Sequence, residues 1–237
     1  MTTYFISDLH LEAEKPELVD ILIRFLQTTA RDAKALYLLG DVFEVWIGDD
    51  GASPLARRVA AETKALAESG VEVYFMHGNR DFLVGEAYAL AAGITLLPDP
   101  CTRVMGGVPT LLSHGDAWCT DDEAYMRFRQ KSRSPDWQRK ILSTPVLFRR
   151  ALSAYARWKS RRHNRANIAM AIGDVVQAEV EEAFRTSGVA RIIHGHTHRP
   201  AVHGPAGRER IVLADWRERG EALALEADGS YRRVPLE

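Results

Sequence analysis

Three of the eight histidines fall within five residues, in His194-Gly195-His196-Thr197-His198, directly after the apolar pair Ile192-Ile193. Clustered imidazoles on a loop suggest a metal, because neutral imidazole is the commonest protein ligand for transition metals. Two histidines separated by one residue on extended backbone also point to the same side. Four other apolar runs end in the same kind of residue: Asp8-Leu9-His10, Gly40-Asp41 followed by Phe43-Glu44, His77-Gly78-Asn79-Arg80-Asp81, and His114-Gly115-Asp116. Any single one could be a strand or helix cap. A shared site explains all five blocks better. Asp8, His10, Asp41, Asn79, His114, His196 and His198 together offer seven oxygen or nitrogen donors and no thiolate. That exceeds the need of one tetrahedral zinc and suits two adjacent cations sharing a carboxylate. Mixed carboxylate, amide and imidazole donors favour Mn²⁺, Fe or Zn over Ca²⁺ or Cu⁺. Such a pair activates a bridging water and clamps a phosphoryl oxygen, so phosphoester hydrolysis is the chemistry expected.

Elements with a regular rhythm must carry these loops. Thr3–Ser7, Ala35–Leu39 and Val71–Met76 read as strands, alternating with helices over Pro16–Ala30, Pro54–Ser69 and Glu86–Ala92. Apolar residues at helical spacing (Leu18, Ile21, Leu22, Phe25, Leu26) and prolines in the first turns support the helices. Repeated β-α-β units imply a largely parallel sheet covered by helices, with functional groups gathered beyond the strand C-termini. Thr95–Leu97, Cys101–Met105 and Thr110–Ser113 are shorter strands broken by Pro98, Pro100 and Gly106-Gly107. Val175–Thr186 predicts a helix, Ala190–Ile193 a strand, and Ile211–Ala214, Ala222–Glu226 and Tyr231–Val234 closing strands.

Between them, residues 117–173 contain no convincing strand. From Arg127 to Arg165 there are thirteen Lys or Arg against the single acid Asp136, interleaved with Phe128, Trp137, Phe148, Tyr155 and Trp158. A helical insertion is expected, split at Pro135 and Pro145. The rest of the composition is ordinary: 237 residues, 46% hydrophobic and a net charge of −1, enough for one large domain and no global electrostatic steering. Cys101 and Cys119 are too few for a disulfide framework and read as buried thiols of a reducing compartment. Neither a signal peptide nor a window apolar enough to span a membrane is visible. The basic stretch lacks a nucleic-acid reader motif, so nucleic acid is not an expected partner, and no obligate protein partner is evident.

The five loop blocks resemble the calcineurin-like metallophosphoesterases in identity, order and spacing, over nearly the whole chain. This resemblance implies a layered α/β/β/α sandwich forming a single domain over 1–237, with residues 117–173 as a helical lid. It also implies that Asp8, His10, Asp41 and His198 hold one metal and Asp41, Asn79, His114 and His196 the other, with Asp41 bridging. Where many members of the family carry histidine after Gly-Asn, this chain has Arg80. A guanidinium does not release its proton at neutral pH, so Arg80 is expected to hold phosphate oxygens.

Longer runs, Gly40–Asp50, His77–Leu83, Cys119–Asp122 and His194–His203, resemble the UDP-2,3-diacylglucosamine hydrolases of lipid A biosynthesis. That likeness implies hydrolysis of the substrate pyrophosphate, typically with two Mn²⁺, by attack of a metal-activated hydroxide at the UMP phosphorus. UMP and 2,3-diacylglucosamine 1-phosphate are the products. It implies a cytoplasmic enzyme, peripheral on the inner membrane of a Gram-negative bacterium. Asp122, Ser160, Asn164 and Asn167, with Asn79, Arg80 and His196, would contact substrate; relatives often carry lysine at the Asn167 position. A basic, aromatic lid could offer acyl chains an apolar chamber and lipid headgroups an attractive surface. Glu44, Asp49, Asp50, Asp81 and Asp116 are expected to support loops rather than bind metal. Trp46 and Trp216 are expected to pack. The other readings are turnover of a different nucleotide or phosphodiester, and a non-catalytic scaffold on the same fold, which the complete donor set disfavours.

Overall fold

Alternation within single strands divides the core of this protein into layers. In the first strand, β1 (Thr3–Ile6), Tyr4 and Ile6 point into one apolar cluster and Phe5 into another; in β2 (Ala35–Leu39), Leu36 and Leu38 join the first cluster, and Ala35, Tyr37 and Leu39 the second. Both faces are therefore buried, and the run reads as continuously apolar rather than alternating. The coordinates are a computed structural model that describes residues 1–166 and 173–237, except for the side chains of Arg157 and residues 159–166.

One sheet joins β1, β2, β3 (Glu72–Met76) and β4 (Thr95–Leu97) in parallel, and β10 (Gly220–Leu225) and β11 (Tyr231–Leu236) extend it antiparallel from β1. A second sheet runs β5-β6-β7-β9-β8, built from Cys101–Met105, Val108–Ser113, Arg191–His194, Ala201–His203 (β8) and Glu209–Val212 (β9). Its central strands β6, β7 and β9 are parallel. Helices α1 (Pro16–Gln27), α2 (Pro54–Glu68) and α3 (Glu86–Ala92) bury Leu18, Leu22, Leu26, Val59, Leu66 and Tyr88 against the first sheet. Phe5, Met76, Leu112, Ile193, Ile211 and Leu223 fill the space between the sheets, and Val180 and Phe184 of α7 (Gln177–Ser187) cover the outer face of the second with Ile192 and Trp118. This is the expected α/β/β/α layering, but the five loop-bearing strand ends lie in two sheets. β1, β2 and β3 supply three of them, and β6 and β7 the other two.

Between β6 and α7 stand α4 (Glu123–Ser132), α5 (Pro135–Leu142) and α6 (Val146–Ala166), with the breaks at Pro135 and Pro145 as expected. Asp122 caps α4 through a bond from the Tyr125 N–H, and Ser134 caps α5. Trp137 and Ile141 of α5 pack against the helical side of the core. Arg149 fastens α6 to the loop after β2, donating to the Ile47 carbonyl and to both carboxylate oxygens of Asp50.

Candidate metal centre

The strands do not simply stop at the site; their backbones continue and zip the loops together. Asp8 N–H donates to the Gly40 carbonyl (3.0 Å), His10 N–H to that of Asp41 (3.0 Å) and Leu11 N–H to that of Val42 (2.9 Å). In the second sheet Gly195 N–H donates to His114 O (3.0 Å). The two sheets are then joined side chain to backbone, because Asp8 Oδ2 accepts from His196 N–H at 2.8 Å and from the Ser7 hydroxyl at 2.6 Å.

Backbone conformation marks the same residues. Among the described residues, the non-glycine positions with positive φ are Asp8 (56°), His10 (48°), Asp41 (54°), His196 (69°) and His198 (53°). Left-handed backbone is costly for residues with a Cβ and persists where the surroundings over-determine it. Every one of them belongs to the donor set read from sequence. Glycines leave room where loops cross: a Cβ on Gly78 would stand 2.1 Å from Asp41 Oδ1, and one on Gly195 would stand 2.3 Å from Asp8 Oδ2.

The donors assemble into two groups, Asp8 with His10 and His198, and Asp41 with His114 and His196, the ligand atoms of each lying within 4.8 Å of one another. In the first, His10 Nε2 and His198 Nε2 face each other at 3.3 Å, and His198 Nε2 is 3.4 Å from Asp8 Oδ1. That Oδ1 is buried without a hydrogen-bond partner. In the second, Asn79 Oδ1 lies 3.0 Å from both His114 Nε2 and His196 Nδ1, and His114 Nε2 is 3.7 Å from Asp41 Oδ2. An orphaned buried carboxylate oxygen and inward-facing imidazole nitrogens fit divalent cations, which satisfy such atoms without a proton.

Electrostatics agree with that fit. Burial alone would lower the proton affinity of His114, but Asp41, Asp8 and Asp116 push its pKa up to about 9. The same negative field favours a cation. Burial would raise the Asp8 carboxyl, yet His198 and His114 hold it well below the usual carboxylate range. Burial, with help from the charge of His114, pushes His196 down to about 3, keeping its ring neutral and its lone pair free.

The outer nitrogens are held by named partners. His10 Nδ1 meets Glu44 Oε2 at 3.0 Å, His114 Nδ1 meets the Leu39 carbonyl at 2.9 Å, and His198 Nδ1 lies 3.3 Å from Asp215 Oδ2. Such partners fix ring orientation. Asp81 is fully buried and accepts four backbone N–H groups, those of Asp41, Val42, Phe43 and Gly78. His194 stays out of both groups, bonded to Gly195 O and Arg210, while His77 bonds the Val84 carbonyl. Trp46 and Trp216 are buried in the core, as expected.

Arg80 sits beside Asn79, its Nη1 3.7 Å from Glu44 Oε1 and its Nε buried without a partner. Asp122 lies at the start of α4. Ser160, Asn164 and Asn167 lie outside the described side chains. Sequence reading passed over Asp215, although it follows a strand just as the other acids do, and it passed over Tyr125, Arg129 and Arg133, whose signal is only an i, i+4, i+8 stripe on α4. A cavity of about 700 Å³ opens next to the second group, walled by Trp46, Phe82 and Leu83 from the core and by Tyr125, Phe128 and Leu152 from α4 and α6, with Asn79 and Arg80 at its edge.

Residues 1–200 match the family model described as calcineurin-like phosphoesterase. The chain is 49% identical over 240 residues to the UDP-2,3-diacylglucosamine hydrolase of Stenotrophomonas maltophilia strain K279a, covering 97% of this chain and 96% of that one. It is also 49% identical over 239 residues to the protein of the same name from Chromohalobacter salexigens, covering 98% and 96%. The corresponding Xanthomonas oryzae pv. oryzae strain PXO99A protein is 49% identical, with 97% of each chain covered. A family match over most of the chain, relatives aligned almost end to end and donors converging from five strand ends lead to one assignment: this chain belongs to the calcineurin-like phosphoesterases.

Proposed function

We propose that this chain hydrolyses the pyrophosphate bond of UDP-2,3-diacylglucosamine, releasing UMP and 2,3-diacylglucosamine 1-phosphate for lipid A biosynthesis. The observation that carries this reading is the largely apolar cavity next to the second donor group, with Asn79 and Arg80 in its lining. Phosphate chemistry and acyl-chain accommodation then share one entrance. The names of the relatives supply the substrate.

Asp8, His10, Asp41 and His198 would hold one divalent cation, and Asp41, Asn79, His114 and His196 the other, with Mn²⁺ the preferred pair. When bound, these ions supply Lewis acidity, lowering the pKa of water and neutralising phosphoryl charge. Arg80 grips the phosphate oxygens with charge-assisted hydrogen bonds from its guanidinium, which also faces Glu44 at 3.7 Å. A water oxygen, giving up a proton to solvent, bonds to the α phosphorus while the bond from that phosphorus to the bridging oxygen breaks, and the electron pair of that bond leaves with the sugar phosphate. That leaving group has a moderate pKa and needs little protonation, so arginine in place of a histidine acid is tolerable. Asp122, Ser160, Asn164, Asn167 and His196 complete the substrate contacts.

On this reading residues 117–173 are a lid on a single domain of 1–237, and the enzyme works in the cytoplasm at the inner-membrane surface. No described helix is long and apolar enough to cross a membrane. Exposed Leu147, Phe148, Tyr155 and Trp158 on α6, among basic residues, suit shallow contact with anionic lipid. The test is to incubate purified protein with UDP-2,3-diacylglucosamine and Mn²⁺ and to separate the products. UMP and the acylated sugar phosphate are expected; strong turnover of soluble nucleotides without them would overturn the substrate.

A further inference from the structure

Asp116 is not among the donors, yet it ties the metal loops to α4 through one carboxylate oxygen, its Oδ1 being buried without a partner. It is fully buried two residues beyond His114. Its Oδ2 accepts from the Tyr125 hydroxyl and from Arg129 Nε (2.9 Å), with Arg133 Nη2 at 3.5 Å. Tyr125, Arg129 and Arg133 stand at i, i+4 and i+8, so one stripe running along α4 onto its C-cap grips one carboxylate. Burial would raise that carboxyl, but His114 and Arg129 hold it ionised well below the usual range.

The same stripe reaches two of the loops of the second donor group, those of His114 and Asn79. Arg129 Nη2 contacts Asp99 Oδ2 at 3.4 Å, and Asp99 Oδ1 accepts the Ser113 hydroxyl (2.7 Å) and the backbone N–H of His114 itself (3.2 Å). Arg133 Nη2 donates to the Gly78 carbonyl at 2.8 Å, immediately before Asn79, with its guanidinium 5.0 Å above the Phe82 ring. The Tyr125 ring lies near-parallel to that of His196, centroids 6.3 Å apart, and also walls the cavity. No comparable contact from α4 reaches Asp8, His10 or His198 among the described residues.

We propose that Arg129 and Arg133, acting through Asp116, Asp99 and Gly78, are positioning residues that set the affinity of the Asp41/Asn79/His114/His196 group for its divalent cation, while the Asp8/His10/His198 group is indifferent to them. α4 is at once a cavity wall and a brace for one half of the metal centre. By linkage, a ligand that binds better when α4 is braced against those loops tightens that same cation. The proposal rests on the metal reading given above.

The test is a titration of the metal-stripped full chain with Mn²⁺, in which free ion is followed by its electron paramagnetic resonance and no turnover is needed. Wild type should bind two ions per chain. Arg133→Ala should weaken one of them by about three- to tenfold, at or below the usual cost of losing a group bonded directly to a metal ligand because Arg133 acts one bond further out, and leave the other unchanged. Circular dichroism in EDTA checks that the variant is folded. Arg129→Lys, which keeps a charge between the two buried acids but cannot bridge them, is the second variant and should give the same one-sided loss. Folded variants that bind both ions like wild type, or that lose both equally, would overturn the proposal. Wild type that takes up no Mn²⁺ would overturn the metal reading, and the proposal with it.

Discussion

Replacing Asp81 by Asn, an isosteric change at a fully buried position, should destabilise the metal-free protein by about 1–3 kcal/mol. Asp81 Oδ1 accepts from Gly78 N–H (2.8 Å) and Asp41 N–H (3.3 Å), and Oδ2 accepts from Val42 N–H (2.8 Å) and Phe43 N–H (3.4 Å). An amide has one acceptor end, so whichever way it turns, one short and one long N–H face its NH₂ group. Leaving a buried donor unmade costs about 1–3 kcal/mol, with the long bond at the lower end. The two bonds that survive lose their charge assistance, about 1 kcal/mol more. Against this, the negative charge of Asp81 opposes ionisation of Asp41, and its removal returns about 2 kcal/mol, the interaction of unit charges about 8 Å apart at an interior dielectric of about 20. The net of about 1–3 kcal/mol is a sizeable part of a typical stability of about 5–15 kcal/mol. Urea unfolding in EDTA, followed by tryptophan fluorescence, measures it without any contribution from bound metal. A variant as stable as wild type would mean that the carboxylate does not hold these loops.

Gly78→Ala should cut metal-dependent turnover by more than about tenfold, because its Cβ would collide with both the carboxylate and the backbone nitrogen of Asp41, at 2.1 and 2.2 Å; steady-state rates decide this, and wild-type kinetics would refute the close approach. Arg149→Ala frees α6 from Ile47 and Asp50, and losing about 1.4 kcal/mol of local stability makes trypsin cleavage within the insertion about tenfold faster. Unchanged digestion would show that the anchor does not restrain the helix. Adding Mn²⁺ at about 100 times its dissociation constant should stabilise the stripped protein by about 2.7 kcal/mol for each ion bound, seen as a shift of the same urea curve; superimposable curves would exclude both cations.

The strand-loop rhythm was legible because each loop residue follows an apolar run that buried strands require. The helix starts were legible where proline opens them, as at Pro16, Pro54 and Pro135. Boundaries moved where local geometry overruled pattern. The first helix stops at Gln27 because Thr29–Asp32 tightens into a 3₁₀ turn. Val175 and Val176 remain outside α7, since Val176 N–H donates to the Trp118 carbonyl at 2.8 Å. β8 escaped notice, being only Ala201–His203 and half exposed on a sheet edge, where alternation carries no signal. Division of the parallel strands between two sheets is a long-range choice that no β-α-β pattern encodes. Within the site, the donors were readable from residue type beside glycine. Arg129 and Arg133 were not, because in sequence they are two of thirteen cations and only the fold shows that their guanidinium groups reach Asp116, Asp99 and the Gly78 carbonyl.

The five left-handed residues carry a consequence for anyone selecting this protein for robustness. Each side chain with a Cβ held at positive φ costs about 1–2 kcal/mol that glycine would not, partly offset by glycine's greater freedom in the unfolded chain. A screen that rewards heat resistance alone, with chelator present, should therefore drift toward glycine at His10, His196 and His198, erasing donors while relaxing the backbone, whereas Asp8 and Asp41 also accept backbone N–H groups that glycine would leave unmade. Thermal robustness and metal capacity compete at those three histidines, and only a selection that includes the ion keeps both.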